Sequence, residues 1–328
     1  MKIKMEIPAI LLVMAMFTVA EYTGELEIIF PEIAALALGA WIMEKSPWQS
    51  TNLHFWLSPT LAAVTGILIV RYFAYAPLVM IPAAFCLVAL QLKLFRSAVL
   101  PSISAAILPV ITRSESWYYP LSVCLLTGII ALGRLVLNRN KSKKGQIIET
   151  AMTAGVAATD RSLLSQSVHW GKLLTGVILI TAVAVGFDLL FMVAPPLIVA
   201  FVELSKPGGV VRAKMGRAMI VIVLAAFIGV FSLLLIHKAL FLPVWVSSCV
   251  ATITIFLVYH ALRMPFPPAV AIALLPTILP EDALLIYPWH VLAGTTAFCL
   301  LSKTCFGNNS LTSGKTKDTT ATEGIPAC

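Results

Sequence analysis

Charge is what this chain lacks most. Only 12% of its 328 residues are charged and 59% are hydrophobic, and the mean hydropathy is +0.95. A soluble domain of this length needs far more polar surface to cover its core. The composition therefore excludes an ordinary soluble protein and predicts an all-α, polytopic membrane protein.

The residue patterns of enzymes and metalloproteins are missing as well. The chain has no Walker A, GxSxG or HExxH motif, and its six cysteines form no CxxC pair. We therefore expect no enzymatic activity, no cofactor and no metal site. The net charge of +8 bears on topology first, because basic residues in short loops mark the cytoplasmic side. No nucleic-acid partner is expected.

Apolar runs predict about twelve transmembrane segments. They lie at 7–22, 25–44, 55–70, 73–92, 97–112, 118–137, 173–188, 189–204, 216–236, 239–259, 264–280 and 284–302. The fifth and eleventh are short and proline-rich, so a re-entrant course remains an alternative for them. If all twelve cross, only Arg71, Arg113 and Lys238 of the 23 basic residues lie outside, leaving 20 inside. The prediction is a multi-pass protein of the plasma or inner membrane with both termini cytoplasmic.

The chain contains an internal repeat. The stretch "FRSAVLPSISAAILPVI" (95–111) aligns without a gap on "LRMPFPPAVAIALLPTI" (262–278), at a constant offset of 167. This predicts a duplicated six-span unit, and because six is even, the two copies share one orientation, as in parallel-repeat transporters. The predicted organisation is a first repeat at 1–137, a cytoplasmic basic linker at 138–171, a second repeat at 172–303 and a disordered cytoplasmic tail at 304–328.

Prolines break the same segment in both repeats, and a weaker break recurs at Pro31 and at Pro195–Pro196. A proline removes one backbone hydrogen bond, and broken helices near the bilayer midplane commonly form transporter sites. The pattern therefore predicts a site between the repeats; the alternative is a pair of kinked packing helices. The candidate substrate-binding residues are Arg96, Pro101, Ser102, Ser104, Arg263, Pro267, Pro268 and Thr277.

Charged residues near the breaks have two interpretations each. Arg96 and Arg263 precede the breaks and suit a planar anion by bidentate hydrogen bonding, or they extend to lipid headgroups and set topology. Glu32 follows Pro31 and is a candidate for a protonatable coupling residue, or else a carboxyl near the outer interface. Tryptophans near predicted span ends, Trp48 among them, indicate an interfacial aromatic belt.

The second repeat resembles a known family. The stretches "LRMPFPPAVAIALL" (262–275) and "PPLIVAFVELSKPGGVVRAKMGRAMIVIVLAAFIGV" (195–230) resemble the HPP family of integral membrane proteins, which is named for a His-Pro-Pro motif. The resemblance covers 190–302 best and extends through the repeat to 25–137. The motif's histidine is Phe266 here and Leu100 in the first copy, and "AVAIA" replaces the usual glycine-rich run. Some members are linked to nitrite transport, which the resemblance implies as a possibility.

The leading hypothesis is a transporter or channel for a small solute, namely a small inorganic anion such as nitrite. A non-transporting membrane subunit or scaffold is the main alternative, and a membrane-embedded enzyme is a weaker one. The expected partners are membrane lipid and the small-molecule or anionic substrate, with a homo-oligomer left open.

Overall fold

All regular structure in the described part of the chain is helical. The computed structural model describes residues 5–73, 75–139 and 160–306. The principal helices are α1 Glu6–Thr23, α2 Glu32–Ala37, α3 Asn52–Tyr72, α4 Pro77–Leu94, α5 Pro101–Thr112, α6 Tyr118–Arg139, α7 Asp160–Gly186, α8 Pro195–Ser205, α9 Met215–Ser232, α10 Val244–Leu262, α11 Pro267–Leu274 and α12 Tyr287–Cys305. Shorter elements are 3-10 turns at Leu26–Ile28, Leu190–Val193, Leu275–Ile278 and Glu281–Ala283, π turns at Leu38–Ile42 and Leu233–Ala239, and a helical turn at Val210–Ala213.

Seven helices in the described ranges are long and apolar enough to cross a membrane. They are Glu6–Thr23, Asn52–Tyr72, Pro77–Leu94, Tyr118–Leu137, Gln166–Gly186, Met215–Ala239 and Val244–Leu262. Many of their large apolar side chains are exposed, such as Leu90, Leu132 and Leu257. Exposed apolar side chains on span-length helices are suited to lipid rather than water. The chain is therefore an all-helical, multi-pass membrane protein.

Four of the other predicted spans are short helices instead. The longest of these, α5, has 12 residues and is about 18 Å long, against about 30 Å for the bilayer core. The sequence predicted spans at 25–44 and 189–204 with a weaker break at Pro31 and at Pro195–Pro196. Each of these segments contains a 3-10 turn and non-helical residues before α2 or α8 begins. The reason is local, because Pro31 and the pair Pro195–Pro196 cannot donate the backbone hydrogen bonds of a helix interior.

The four short helices form the centre of the molecule. Every residue of α2, α8 and α11 is buried, and α5 is buried from Pro101 to Val110. A helix that is apolar on all sides belongs in the interior rather than at a surface. The longer helices surround this centre.

Contacts at the centre join the first half of the chain to the second. α2 packs against α11, and α5 packs against α8. Around them, α1 packs against α10 and α4 packs against α7. Within each half, α3 lies against α5 and α9 lies against α11.

The contacts of α3 with α5 and of α9 with α11 both depend on a glycine. A Cβ added to Gly66 would lie 2.4 Å from the carbonyl oxygen of Ala106, and one added to Gly229 would lie 2.1 Å from that of Ala273. Such distances are far inside van der Waals contact with backbone that cannot rotate away. Glycine is therefore required at both positions for the helices to approach so closely.

Each half of the chain contains an equivalent hydrogen bond from a buried tyrosine. The Tyr119 hydroxyl donates to the carbonyl of Ala105 at 2.9 Å, and the Tyr287 hydroxyl donates to that of Ile272 at 2.9 Å. Each bond ties the helix after the short one, α6 or α12, to the middle of α5 or α11. Both hydroxyls are buried, so the carbonyl satisfies a group that would be costly to leave unpaired.

The predicted linker and tail are only partly described. Residues 140–159 of the predicted linker lie outside the described residues, and 160–171 form the start of α7. α12 extends to Cys305, and residues 307–328 of the predicted disordered tail also lie outside the described part.

We predict that Gly66→Ala and Gly229→Ala each destabilise the protein by about 1–3 kcal/mol, because the added methyl group forces the packed helices apart. Thermal unfolding of the purified protein in detergent measures the effect as a lowered Tm. Gly216→Ala is the matched control on α9, since nothing lies within 4 Å of a Cβ there. An unchanged Tm in both Gly66 and Gly229 variants would contradict the described helix packing.

Candidate functional site

A small cavity lies where the first turns of the four short helices meet. Its volume is about 10 Å³, which is the room that a single water molecule needs. Glu32 begins α2, Pro101 begins α5, and Pro196 and Pro268 are the second residues of α8 and α11. The complete lining is Glu32, Ala35, Trp48, Pro101, Pro196, Val199, Pro268 and Ala271.

Prolines determine where these helices begin. The fixed φ of proline suits the first helical turn, and its missing N–H is one that a helix start leaves unpaired in any case. The next amides are used in turns: Ile103 N donates to Leu100 O at 2.9 Å, and Leu197 N donates to Ala194 O at 2.8 Å. The helix starts therefore contribute the partial positive charge of their dipoles to the cavity, through neighbouring amides that are already bonded.

Glu32 is the one ionisable residue that lines the cavity. Its side chain is 2% exposed, and Oε1 accepts a hydrogen bond from the Ser104 hydroxyl of α5. Oε2 has no hydrogen-bond partner, and no basic side chain in the described ranges forms an ion pair with Glu32. A buried carboxyl oxygen without a partner is costly and therefore unusual.

The two serines of α5 next to the cavity have no counterparts in the second half of the chain. Ser102 and Ser104 of α5 are fully buried, and the Ser102 hydroxyl has no hydrogen-bond partner. At the corresponding positions of α11 the chain has Ala269 and Ala271, both also fully buried. The site is thus asymmetric although the helices around it are arranged alike.

Trp48 closes another side of the cavity. Its side chain is fully buried and its indole Nε1 donates to Oε1 of Glu203, on α8, at 2.8 Å. The other carboxylate oxygen of Glu203 pairs with Lys206 at 3.3 Å. The ring lies on Gly39, where an added Cβ would be 2.5 Å from the indole. The bond from Trp48 to Glu203 ties the loop after α2 to a helix of the other half of the chain.

The assignment of Trp48 to an interfacial belt was wrong. A tryptophan can be buried where its N–H finds an acceptor, and Glu203 supplies one from a residue 155 positions away. Sequence reasoning also missed Ala35, Val199 and Ala271 as cavity walls. The sequence offered one signal for the burial of Trp48: Glu203 lies within the apolar run of α8 and therefore needs a hydrogen-bond donor.

The predicted site residues on α5, α11 and α2 lie at or next to the cavity. Pro101, Pro268 and Glu32 line it, and Pro267 is the first residue of α11. Ser104 contacts the cavity indirectly, through its bond to Glu32.

The remaining predicted residues lie elsewhere. Arg96 and Arg263 are exposed and have left-handed φ values of 51° and 48° after the ends of α4 and α10. Neither arginine lines the cavity. Thr277 lies beyond the C-terminal end of α11, where its hydroxyl donates to Leu274 O at 2.7 Å. Arginines flanking a break in sequence are therefore not brought into the central site by the fold.

Comparisons with protein-family models, with curated proteins and with solved structures found no match to this chain. The resemblance to the HPP family therefore has no support from a relative. Among the described residues, no group of three or more His, Cys, Asp or Glu side chains could hold a metal ion.

We predict that Ser104→Ala destabilises the protein by about 1–3 kcal/mol, because it leaves both oxygens of buried Glu32 unpaired. Ser102→Ala is the matched control: it removes an equally buried hydroxyl that has no partner, so stability should be kept or slightly increased. Chemical denaturation in detergent measures both. Equal losses in the two variants would show that the bond from Ser104 to Glu32 contributes nothing.

Proposed function

We propose that this protein is a membrane transporter or channel for a small solute, and that the solute passes through the cavity at the starts of the four short helices. The observation that carries the proposal is the convergence of four interrupted helices on one buried cavity between the two halves of the chain. Secondary transporters commonly build their sites from discontinuous helices of this kind, at the interface of two repeats.

The packing supports a division of the helices into two similar sets of six. If the two sets are related by a two-fold axis, α1 corresponds to α7, α4 to α10, and so on through α6 and α12. The contact of α1 with α10 then has the contact of α7 with α4 as its equivalent, and both are present. The same correspondence relates the contact of α2 with α11 to that of α8 with α5. We propose twelve crossings, in which each short helix completes its crossing together with the non-helical residues before it. Both termini then lie on the cytoplasmic side, as the basic residues favour.

We propose a small inorganic anion, such as nitrite, as the solute. Three of the converging helices, α5, α8 and α11, have eight or more residues, and their positive dipole ends favour negative charge. The resemblance of 262–275 to the HPP family adds the suggestion of nitrite. Since the cavity has room for about one water molecule, a triatomic anion requires its walls to move apart.

Because Arg96 and Arg263 are exposed, we propose that they do not bind the solute. At the ends of α4 and α10 their guanidinium groups can contact lipid headgroups and help to set topology. They do not contact the solute in the closed arrangement described here.

The test is flux into proteoliposomes that contain the purified protein. We expect saturable uptake of at least one of nitrite, nitrate, formate and chloride, and none of urea. Ala271→Val adds two methyl groups to the cavity wall and should lower uptake by roughly tenfold or more, since crowding of a packed site costs about 1–3 kcal/mol. Arg96→Ala and Arg263→Ala are controls that should leave uptake unchanged.

Two results would overturn the proposal. Absence of flux for every solute, with protein that is monodisperse and folded, contradicts a transport function and favours a scaffold or subunit. Loss of uptake in both arginine variants, with full activity in Ala271→Val, contradicts the central location of the site.

A further inference from the structure

Glu32 has one oxygen occupied and one unpaired. The Ser104 hydroxyl donates to Oε1, and Oε2 has no partner although Glu32 lines the cavity. A charged carboxylate in this position would have lost its water without gaining a counter-ion, which is strongly unfavourable. A neutral carboxyl avoids that cost and gains an O–H donor, which needs a partner in the cavity.

Two of the four helices that contact α2 bring no charge to Glu32. α5 and α11 carry no ionisable side chain. Two buried phenols, those of Tyr119 and Tyr287, bond to the backbone of α5 and α11. Each phenol is buried and donates its hydrogen to a backbone carbonyl, so neither supplies a cation.

The other two helices that contact α2 are α1 and α6. Their ionisable groups with described side chains, besides Tyr119, are Glu6, Glu21, Tyr22, Tyr118, Cys124 and Arg134. Glu6 pairs with His260 at 2.8 Å, and Glu21 accepts from Val244 N at 3.1 Å. Arg134 donates to Ser50 O at 2.7 Å and lies over the Phe55 ring. The ion pairs of the described residues do not include Glu32, and its Oε2 has no hydrogen-bond partner.

We infer that Glu32 is the proton-binding site of a proton-coupled anion transporter, in which the neutral carboxyl holds the anion in the cavity. This inference rests on the proposed function and adds the coupling ion to it. A proton from water on one side of the membrane forms the O–H bond at Oε2, and that O–H donates to the anion. Release to the other side breaks the bond and returns the proton to water together with the anion.

The coupling follows from charge. A deprotonated Glu32 repels an anion at the positive ends of the helices, whereas the neutral form donates a hydrogen bond to it. By linkage, the bound anion favours the proton as much as the proton favours the anion. When Pro31 is aligned on Pro196, the counterpart of Glu32 in the second half is Leu197. Leu197 is also buried, so the site carries one proton for one anion.

Glu32→Gln separates coupling from binding. Glutamine keeps the shape of the neutral carboxyl, can accept from Ser104 and can donate to an anion, but it cannot release a proton. We measure uptake of nitrite and nitrate driven by an inward proton gradient, with a pH dye inside the liposomes and empty liposomes subtracted. In the variant, gradient-driven uptake and proton entry should fall to background, while anion exchange at equal pH should persist above that of empty liposomes. Glu281→Gln, at an exposed carboxylate paired with Lys238, should leave both assays unchanged.

The outcomes are distinguishable from failure of the proposed function. Wild-type anion uptake without proton entry overturns the inference and leaves the transporter intact. Proton-coupled uptake retained in Glu32→Gln overturns it too, as does loss of both exchange and gradient-driven uptake in a folded variant. Absence of wild-type uptake of every anion contradicts the proposed function, and the inference falls with it.

An infrared measurement tests the proton without any transport. The difference spectrum between alkaline and acidic buffer should contain the carbonyl stretch of a buried, protonated carboxyl, and Glu32→Gln should remove it. A spectrum without that band in the wild-type protein, or with the same band in the variant, would contradict protonation of Glu32.

Discussion

The structure depends on one constraint: four helices begin inside an apolar interior, and their first backbone groups must still be hydrogen-bonded. Water is absent there, so each backbone N–H and C=O must find a partner in the protein. Proline meets part of the requirement at Pro101, Pro195 and Pro267, because it has no N–H to satisfy. The following amides bond to carbonyls just before the helix. Such starts survive only where other protein surrounds them, and this requires the four short helices to be central.

The surrounding contacts follow from this arrangement. A short helix buried on all sides needs neighbours that approach closely, and Gly66 and Gly229 allow α3 and α9 to do so. Each short helix packs against one from the other half of the chain, so neither half could bury its interrupted helices alone. The bond from Trp48 to Glu203 adds a further link between the halves at the cavity wall. The contacts between the short helices and the bond from Trp48 to Glu203 therefore both enclose the cavity and hold the two halves of the chain together.

The broad architecture could be predicted from the sequence because its causes are local. Apolar runs indicated a multi-pass helical protein, and the prolines at 101, 195–196 and 267–268 marked where helices are interrupted. Pairings between distant segments could not be predicted, since the partner of Trp48 is 155 residues away and nothing in the local sequence specifies it. The positions of the arginines relative to the cavity could not be predicted for a geometric reason. Five positions separate Arg96 from Pro101, and Arg96 lies exposed in a left-handed turn. Glu32 was identified as a candidate because a carboxylate within an apolar segment is costly wherever the fold places it.

The depth of the four helix starts is the most direct test of this account. A cryo-electron microscopy structure of the full chain in a lipid nanodisc would show both the helices and the edges of the bilayer. The account predicts that α2, α5, α8 and α11 all begin near the middle of the bilayer around one cavity that Glu32 lines. Continuous helices through 25–44 and 97–112, or helix starts at the level of the headgroups, would contradict it.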